Sequence, residues 1–259
     1  MGSTDVGSLP PFLELAGHPV RWGILTRLAR SDQQVGELAA ALQEPQSLVS
    51  YHLARLKDGG LVSSHRSSFD GRAAYYRVHL DRCRTMLDAT GTLLHPGVGP
   101  TAPASSRRSR RRPVVLFACT GNGTRSQIAE ALLRDLSGGT IDVVSGGSHP
   151  KPIHPNAVAV LAERGIDIGA STSKSLDVFV GRRFDMVVTL CDRVREVCPP
   201  FAPDDATVHW SIEDPSRVPG TRRATMPAFR DVADDLATRI HHLIPVLATG
   251  PDKERSRHA

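Results

Sequence analysis

The chain has 259 residues, 40% hydrophobic and 23% charged, a globular balance that excludes a wholly disordered or collagen-like chain and a length that suits one large domain or two. Its longest apolar runs, such as Val114–Cys119, are far shorter than the ~20 residues that span a bilayer. No basic-then-apolar leader opens it, so a cytoplasmic protein without a membrane partner is expected. The net charge of +5 is concentrated: residues 1–100 carry +1, residues 101–112 carry +5 and residues 113–259 carry −1. Four cysteines make no disulfide scaffold at this length and direct the search to catalysis, metal binding or packing.

In chain order, Val20, Ile24, Leu25 and Leu28 predict a helix over residues 19–30, broken at Ser31-Asp32. Val35, Leu38, Ala39 and Leu42 predict a second, short helix. After the turn Glu44–Ser47, a third helix is predicted from Val49, Leu53 and Leu56, spaced i, i+4, i+7, and ends at Asp58-Gly59-Gly60. Leu61–Ser64 and Ala74–Val78 read as strands joined at a hairpin turn, Asp70-Gly71. A last helix is expected from about Arg82 to Leu94.

This is the order of a winged helix-turn-helix, in which the third helix enters the major groove. Its polar face offers Gln46, Ser47, Ser50, Tyr51, His52 and Arg55 to DNA, with Arg66 and Arg72 flanking the wing tip. A small helical interaction domain with a solvated polar face is the alternative. Residues 12–95, above all QSLVSYHLARLKDGGLVSSHRSSFDGRAAYYRV, resemble the arsenic-repressor family of winged-helix regulators. The resemblance implies a homodimer on a palindromic double-stranded operator. Many relatives bind arsenite through clustered cysteines, but residues 1–82 contain none and Cys83 stands alone. His79, Asp81 and His95 make no metal spacing, so no metal is expected.

Residues 96–112 are rich in proline, glycine, serine and arginine and read as a linker. It is either a solubilising tether or an arm that contacts phosphates. The expected organisation is a DNA-binding domain over 1–95, the linker 96–112, a second domain over 113–250 and a tail over 251–259.

Beyond the linker, apolar strands at 114–118, 141–144, 184–190 and 207–210 alternate with helices, the last with Phe229, Val232, Leu236, Ile240 and Leu243 on one face. The alternation predicts an α/β domain with a four-stranded parallel sheet, whose ligands sit at the carboxyl ends of the strands. At the first such end stands Cys119-Thr120-Gly121-Asn122-Gly123-Thr124-Arg125-Ser126. A loop between strand and helix turns several N–H groups on one anion, and glycines let it wrap closely. The same groups favour the thiolate of a cysteine placed there. Arg125 can hold two oxyanion oxygens in a fork, and Ser126 can donate to the thiolate. Cys191 follows the third strand, seven residues before Cys198; Asp214 follows the fourth and has the chemistry of a general acid, or of a turn residue before proline.

From Val114 to about Leu247 the chain resembles the low-molecular-weight tyrosine phosphatase fold and, within it, the thioredoxin-coupled arsenate reductases, through CTGNGTRSQIAEALL, TSKSLD, DMVVTLCDRVREVCP and HWSIEDP. The resemblance implies that Cys119, Cys191 and Cys198 form a thiol relay that reduces arsenate to arsenite. Asp214 is then the acid, and an external thioredoxin-like or low-molecular-weight thiol restores the pair. No tightly bound cofactor is implied. Asn122, Ser145 and Glu130 surround the anion loop in the family, and some members bind potassium there. Lys174 replaces an acidic residue of those members, and its ammonium would make potassium unnecessary. Thr124 stands where many relatives have a further loop cysteine. Two other readings remain: a regulator whose second domain only senses an oxyanion or redox state, and a tyrosine phosphatase attached to a DNA-binding domain.

Overall fold

Proline and histidine set the first helices. The helices α1 (Pro11–Ala16) and α2 (Pro19–Leu28) both start on proline, whose fixed φ and missing N–H suit a first turn, and the His18 ring accepts the Val20 N–H at 3.2 Å. This computed structural model describes residues 9–67, 71, 73–95 and 111–249. The chain divides into two compact units, Met1–Ala104 and Ser105–Ala259.

In the first unit a two-residue strand β1 (Gln33–Gln34) leads into α3 (Val35–Leu42), then α4 (Gln46–Asp58). Gly60 takes the left-handed conformation (φ 71°) that turns the chain out of α4. The strands β2 (Val62–Arg66) and β3 (Ala74–Val78) form an antiparallel hairpin, with β1 on the free side of β3. The helix α5 (Leu80–Leu94) follows. Ile24, Leu38, Val49, Leu53, Leu56 and Leu61 are buried together beneath this wing. The sequence pattern missed α1, whose Phe12 and Ala16 join the core, and β1, which is too short to show a period.

The second unit is α/β. The strands β4 (Val114–Cys119), β5 (Asp142–Gly147), β6 (Met186–Thr189) and β7 (Thr207–His209) form a four-stranded parallel sheet in the order β5-β4-β6-β7. The helices are α6 (Arg125–Leu136), α7 (Pro155–Ala162), α8 (Asp192–Val197) and α9 (Arg222–Thr249). The five apolar residues expected on one face of α9 are all buried. Strand β5 runs three residues further than the apolar pattern, because Ser145, Gly146 and Gly147 pair with Phe117, Ala118 and Cys119. All strands point the same way, so Cys119 and Cys191 emerge at one end of the sheet despite the distance between them in sequence. No helix among the described residues is long and apolar enough to cross a membrane.

Candidate active site and candidate DNA-facing helix

The loop from β4 to α6 is racked from behind. The carbonyls of Thr120, Gly121 and Gly123 accept N–H groups from His149, Lys151 and His154, each at 2.8 Å, and the Asn122 carbonyl accepts the Ser173 hydroxyl at 3.0 Å. With four successive carbonyls held outward, the amides of the loop are free to converge on its hollow, a concave anion-binding arrangement. Segment 149–154, which holds three of the four, carries no motif of its own. Gly123 is required by close approach: a Cβ there would lie 2.6 Å from the Pro152 carbonyl oxygen.

Asn122 is the buried tie of the loop. It takes a positive φ of 44°, which asparagine tolerates better than most residues. Its side-chain NH₂ donates to Ser126 Oγ (2.9 Å) and Ser145 Oγ (2.7 Å). Its oxygen accepts from the Lys174 amide (2.7 Å) and Gln127 Nε2 (3.1 Å). Ser145 Oγ donates to Glu130 Oε2 at 2.6 Å, Lys174 Nζ lies 3.6 Å from the same oxygen, and Arg134 takes Oε1 at 2.6 Å.

Cys119 Sγ accepts the Asn122 N–H at 3.2 Å and lies 2.9 Å from Ser126 Oγ. Ser126 already accepts from Asn122, so its own hydrogen is free to point at the sulfur. Arg125 is 5% exposed. One terminal nitrogen donates to the Ile212 carbonyl and the other to Asp214, both at 2.9 Å. Its Nε is buried and finds no hydrogen-bond partner among the described residues. A buried N–H of a cation left unpaired is costly, and a ligand oxyanion is the partner this donor suits.

Asp214 accepts Arg125 on one oxygen and the Ser216 amide and hydroxyl on the other, at 3.1 and 2.7 Å. Burial pushes its proton affinity up, but the Arg125 charge and the Ser216 bonds together outweigh it and hold the carboxyl below its usual range. It caps the turn Pro215–Arg217, as a turn residue before proline would, and its ion pair with Arg125 sets it beside the loop.

The Thr120 hydroxyl lies 3.2 Å from Cys191 Sγ. That contact joins the second cysteine to the anion loop. Cys198 is a free, half-buried thiol at the far end of α8, and burial pushes its pKa up to about 11. Thr124 precedes α6 at the rim of the loop. Sequence reasoning did not single out Thr189, Asp192, His209 and Ser211, four buried polar residues at the carboxyl ends of β6 and β7. Polar side chains closing otherwise apolar strands were the available signal.

In the first unit Gln46, Ser47, Ser50, Tyr51 and Arg55 are exposed along α4, and Arg66 is exposed on the wing, where it donates to the Gly71 carbonyl at 3.0 Å. Arg72 and most of the arginine linker lie outside the described residues. His52 is a correction: it is 3% exposed and packs against His18, the rings tilted by 37° with centroids 4.3 Å apart. It stands at i+3 from Val49, completing the i, i+3, i+4, i+7 stripe that α4 buries, and cannot face DNA. Among the described residues no group of three or more His, Cys, Asp or Glu is arranged to hold a metal ion.

Residues 114–253 match the low molecular weight phosphotyrosine protein phosphatase family, and residues 18–64 match the bacterial regulatory protein, arsR family. An arsenate reductase of Halalkalibacterium halodurans is 39% identical over 129 residues, 50% of this chain and 93% of that protein. One from Bacillus subtilis is 36% identical over 127 residues, 49% of this chain and 91% of that protein. A solved structure described as an arsenate reductase in the phosphate binding state shares 31% identity, covers 52% of this chain and 98% of its own, and has a TM-score of 0.47. Through residues 114–253 the chain thus belongs to the low molecular weight phosphotyrosine protein phosphatase family, where its curated relatives are named arsenate reductase, and residues 18–64 ahead of them match the arsR-family model.

Proposed function

We propose that the chain is a bifunctional arsenic-resistance protein of the cytoplasm: an operator-binding regulator fused to an enzyme that reduces arsenate to arsenite. The single observation that carries the enzymatic half is the 3.2 Å approach of Cys191 Sγ to the Thr120 hydroxyl, beside the nucleophile Cys119. A phosphatase needs the loop, Arg125 and Asp214; it has no use for a thiol delivered to the loop from the next strand.

The Cys119 thiolate attacks arsenic in arsenate held by the loop amides, the Arg125 fork and its buried Nε–H. A sulfur–arsenic bond forms, and Asp214 gives its proton to the departing oxygen, which leaves as water. The dianion draws on Arg125, which loosens its hold on Asp214 and adds negative charge nearby; both favour a protonated Asp214. The Cys191 thiolate, to which the Thr120 hydroxyl can donate, then attacks Cys119 Sγ. A disulfide forms, the sulfur–arsenic pair stays with arsenic, and arsenite departs two electrons richer. Cys198 next attacks Cys191 Sγ and releases Cys119 as thiolate, leaving a Cys191–Cys198 disulfide. In place, with a pKa of about 11, Cys198 is thiolate in only about one molecule in 10⁴ at pH 7. Its attack therefore needs α8 to unwind and bring it into water. A thioredoxin-like or low-molecular-weight dithiol returns the pair to the reduced state.

Potassium has no place to fill in this reading, because the Lys174 ammonium beside Glu130 stands in the position of the cation. For the regulatory half, a homodimer presents the exposed residues of two copies of α4 to the half-sites of a palindromic operator, with Arg66 and Arg72 at the wings and the arginine linker adding phosphate contacts.

Arsenate turnover by the full chain with an external dithiol, followed by mass-spectrometric mapping of the oxidised protein, tests the enzyme. Arsenite release and a Cys191–Cys198 disulfide are expected, and Cys191→Ser should stop both while leaving aryl-phosphate hydrolysis. Full arsenate turnover by Cys191→Ser would sink the relay.

A further inference from the structure

Cys191 is flanked on both sides by residues fixed to β7. Thr189, at the end of β6, has its Oγ1 2.9 Å from His209 Nδ1, and His209 Nε2 lies 3.1 Å from Asp192 Oδ1. The Ser211 hydroxyl donates to the same carboxylate oxygen at 2.5 Å. All four side chains are at least nine-tenths buried. Nε2–H donates to Asp192, and the other ring nitrogen is tied to the Thr189 hydroxyl, so both ends of the imidazole are held. A carboxylate this deep persists only where such donors hold it, and these donors lie at the end of β7, outside α8.

The consequence for the thiol pair is an asymmetry. Disulfide formation requires the two sulfurs to meet at about 2 Å, and the helix between them, Asp192–Val197, is ~9 Å long at 1.5 Å per residue. It cannot close the pair while it stays a helix. Its first residue is locked, and Val194 is buried in the core, whereas Glu196 and Val197 are exposed. One end is built to stay and the other to travel.

Resting on the relay proposed above, we propose that His209 and Ser211, acting through Asp192, are positioning residues that hold Cys191 against the anion loop while α8 unwinds from its Cys198 end. They touch neither oxyanion nor sulfur; they fix the atom that must attack Cys119. The network would matter for the second and third thiol steps and not for the first.

The test uses the full chain and compares two activities. Arsenate turnover needs all three cysteines, whereas aryl-phosphate hydrolysis needs Cys119, Arg125 and Asp214 alone. Asp192→Ala and His209→Phe should lower arsenate turnover by ~10²-fold, the scale of a 1 Å misplacement of a reacting group, and leave hydrolysis within about two-fold. His209→Gln, which can still donate to Asp192, should regain most of the loss. A purely structural role would lower both activities in proportion, and that result, or unchanged arsenate turnover in all three variants, overturns the proposal. Should Asp192→Ala not fold, Ser211→Ala must still depress turnover relative to hydrolysis, and equal activities refute it. Cys191→Ser run beside them separates the two ideas. If it alone abolishes turnover, the relay stands and the positioning fails; if it retains turnover, the relay fails and takes the positioning with it.

Discussion

Replacing Arg125 by lysine keeps a positive charge in the site and removes its geometry. The native guanidinium makes two bonds of 2.9 Å, to the Ile212 carbonyl and to Asp214, and keeps Nε buried for the oxyanion. A lysine ammonium is a point charge on a flexible stem and cannot serve three fixed directions. Hydrogen bonds to charged groups contribute ~1.5–3 kcal/mol each, and losing one donor to a developing oxyanion costs about 10²–10³ in rate. The bond to Ile212 or the one to the anion must go, and the remaining charge is misdirected. For Arg125→Lys we expect kcat/KM for arsenate to fall by ~10³-fold and that for an aryl phosphate to fall alike, because both substrates use the same fork. The assay is steady-state turnover of the two substrates by the same preparation. A loss under about three-fold for either substrate would refute the assignment of Arg125 as the oxyanion fork.

Gly123→Ala would push a Cβ to within 2.6 Å of the Pro152 carbonyl oxygen; the loop must leave its rack. Destabilisation of ~1–3 kcal/mol and loss of both activities are expected in denaturant unfolding and turnover, and an unaltered variant would show that the rack does not shape the loop. Lys174→Gln removes the ammonium 3.6 Å from Glu130 Oε2. Replacing sodium by potassium should then stimulate the variant and leave the parent unchanged, and a parent that responds to potassium contradicts the substitution of cation by lysine. Burial, then the nearby His18 and Arg21 charges, lower the pKa of His52 from 6.5. A lowered folded-state value means that the unfolded chain binds the proton more readily, so this contribution to stability is complete above pH ~6.5 and is lost as pH falls. Protection factors of the α4 amides, exchange rates corrected for the intrinsic pH dependence, should fall between pH 6.5 and 5 in the parent and less so in His52→Gln, and equal profiles would count against it.

The α-helical and strand periods, the pairing of β2 with β3 and the strand-loop-helix context of Cys119 were legible in the sequence because they are local: each rests on residues close to one another in the chain. The short pieces α1 and β1 escaped because neither is long enough to show a period. His52 was misplaced for a related reason. A three-residue tally of α4 describes the buried stripe but not its width, and only packing against His18 and α2 shows that the stripe includes a histidine.

The candidate site divides along the same line. The order Cys119 to Ser126, the spacing of Cys191 and Cys198 and the lysine at 174 are properties of the sequence, and with them go the proposed nucleophile, the proposed thiol pair and the proposed cation substitute. The meeting of Thr120 with Cys191, the rack from residues 149–154 and the Thr189–His209–Asp192–Ser211 network are not. They join residues from up to 71 positions apart, and such contacts exist only once a parallel sheet has brought its strand ends together. Sequence alone determined which atoms can react; the sheet decided which of them are neighbours, because hydrogen bonds across strands depend on register and burial, and neither is written in local spacing.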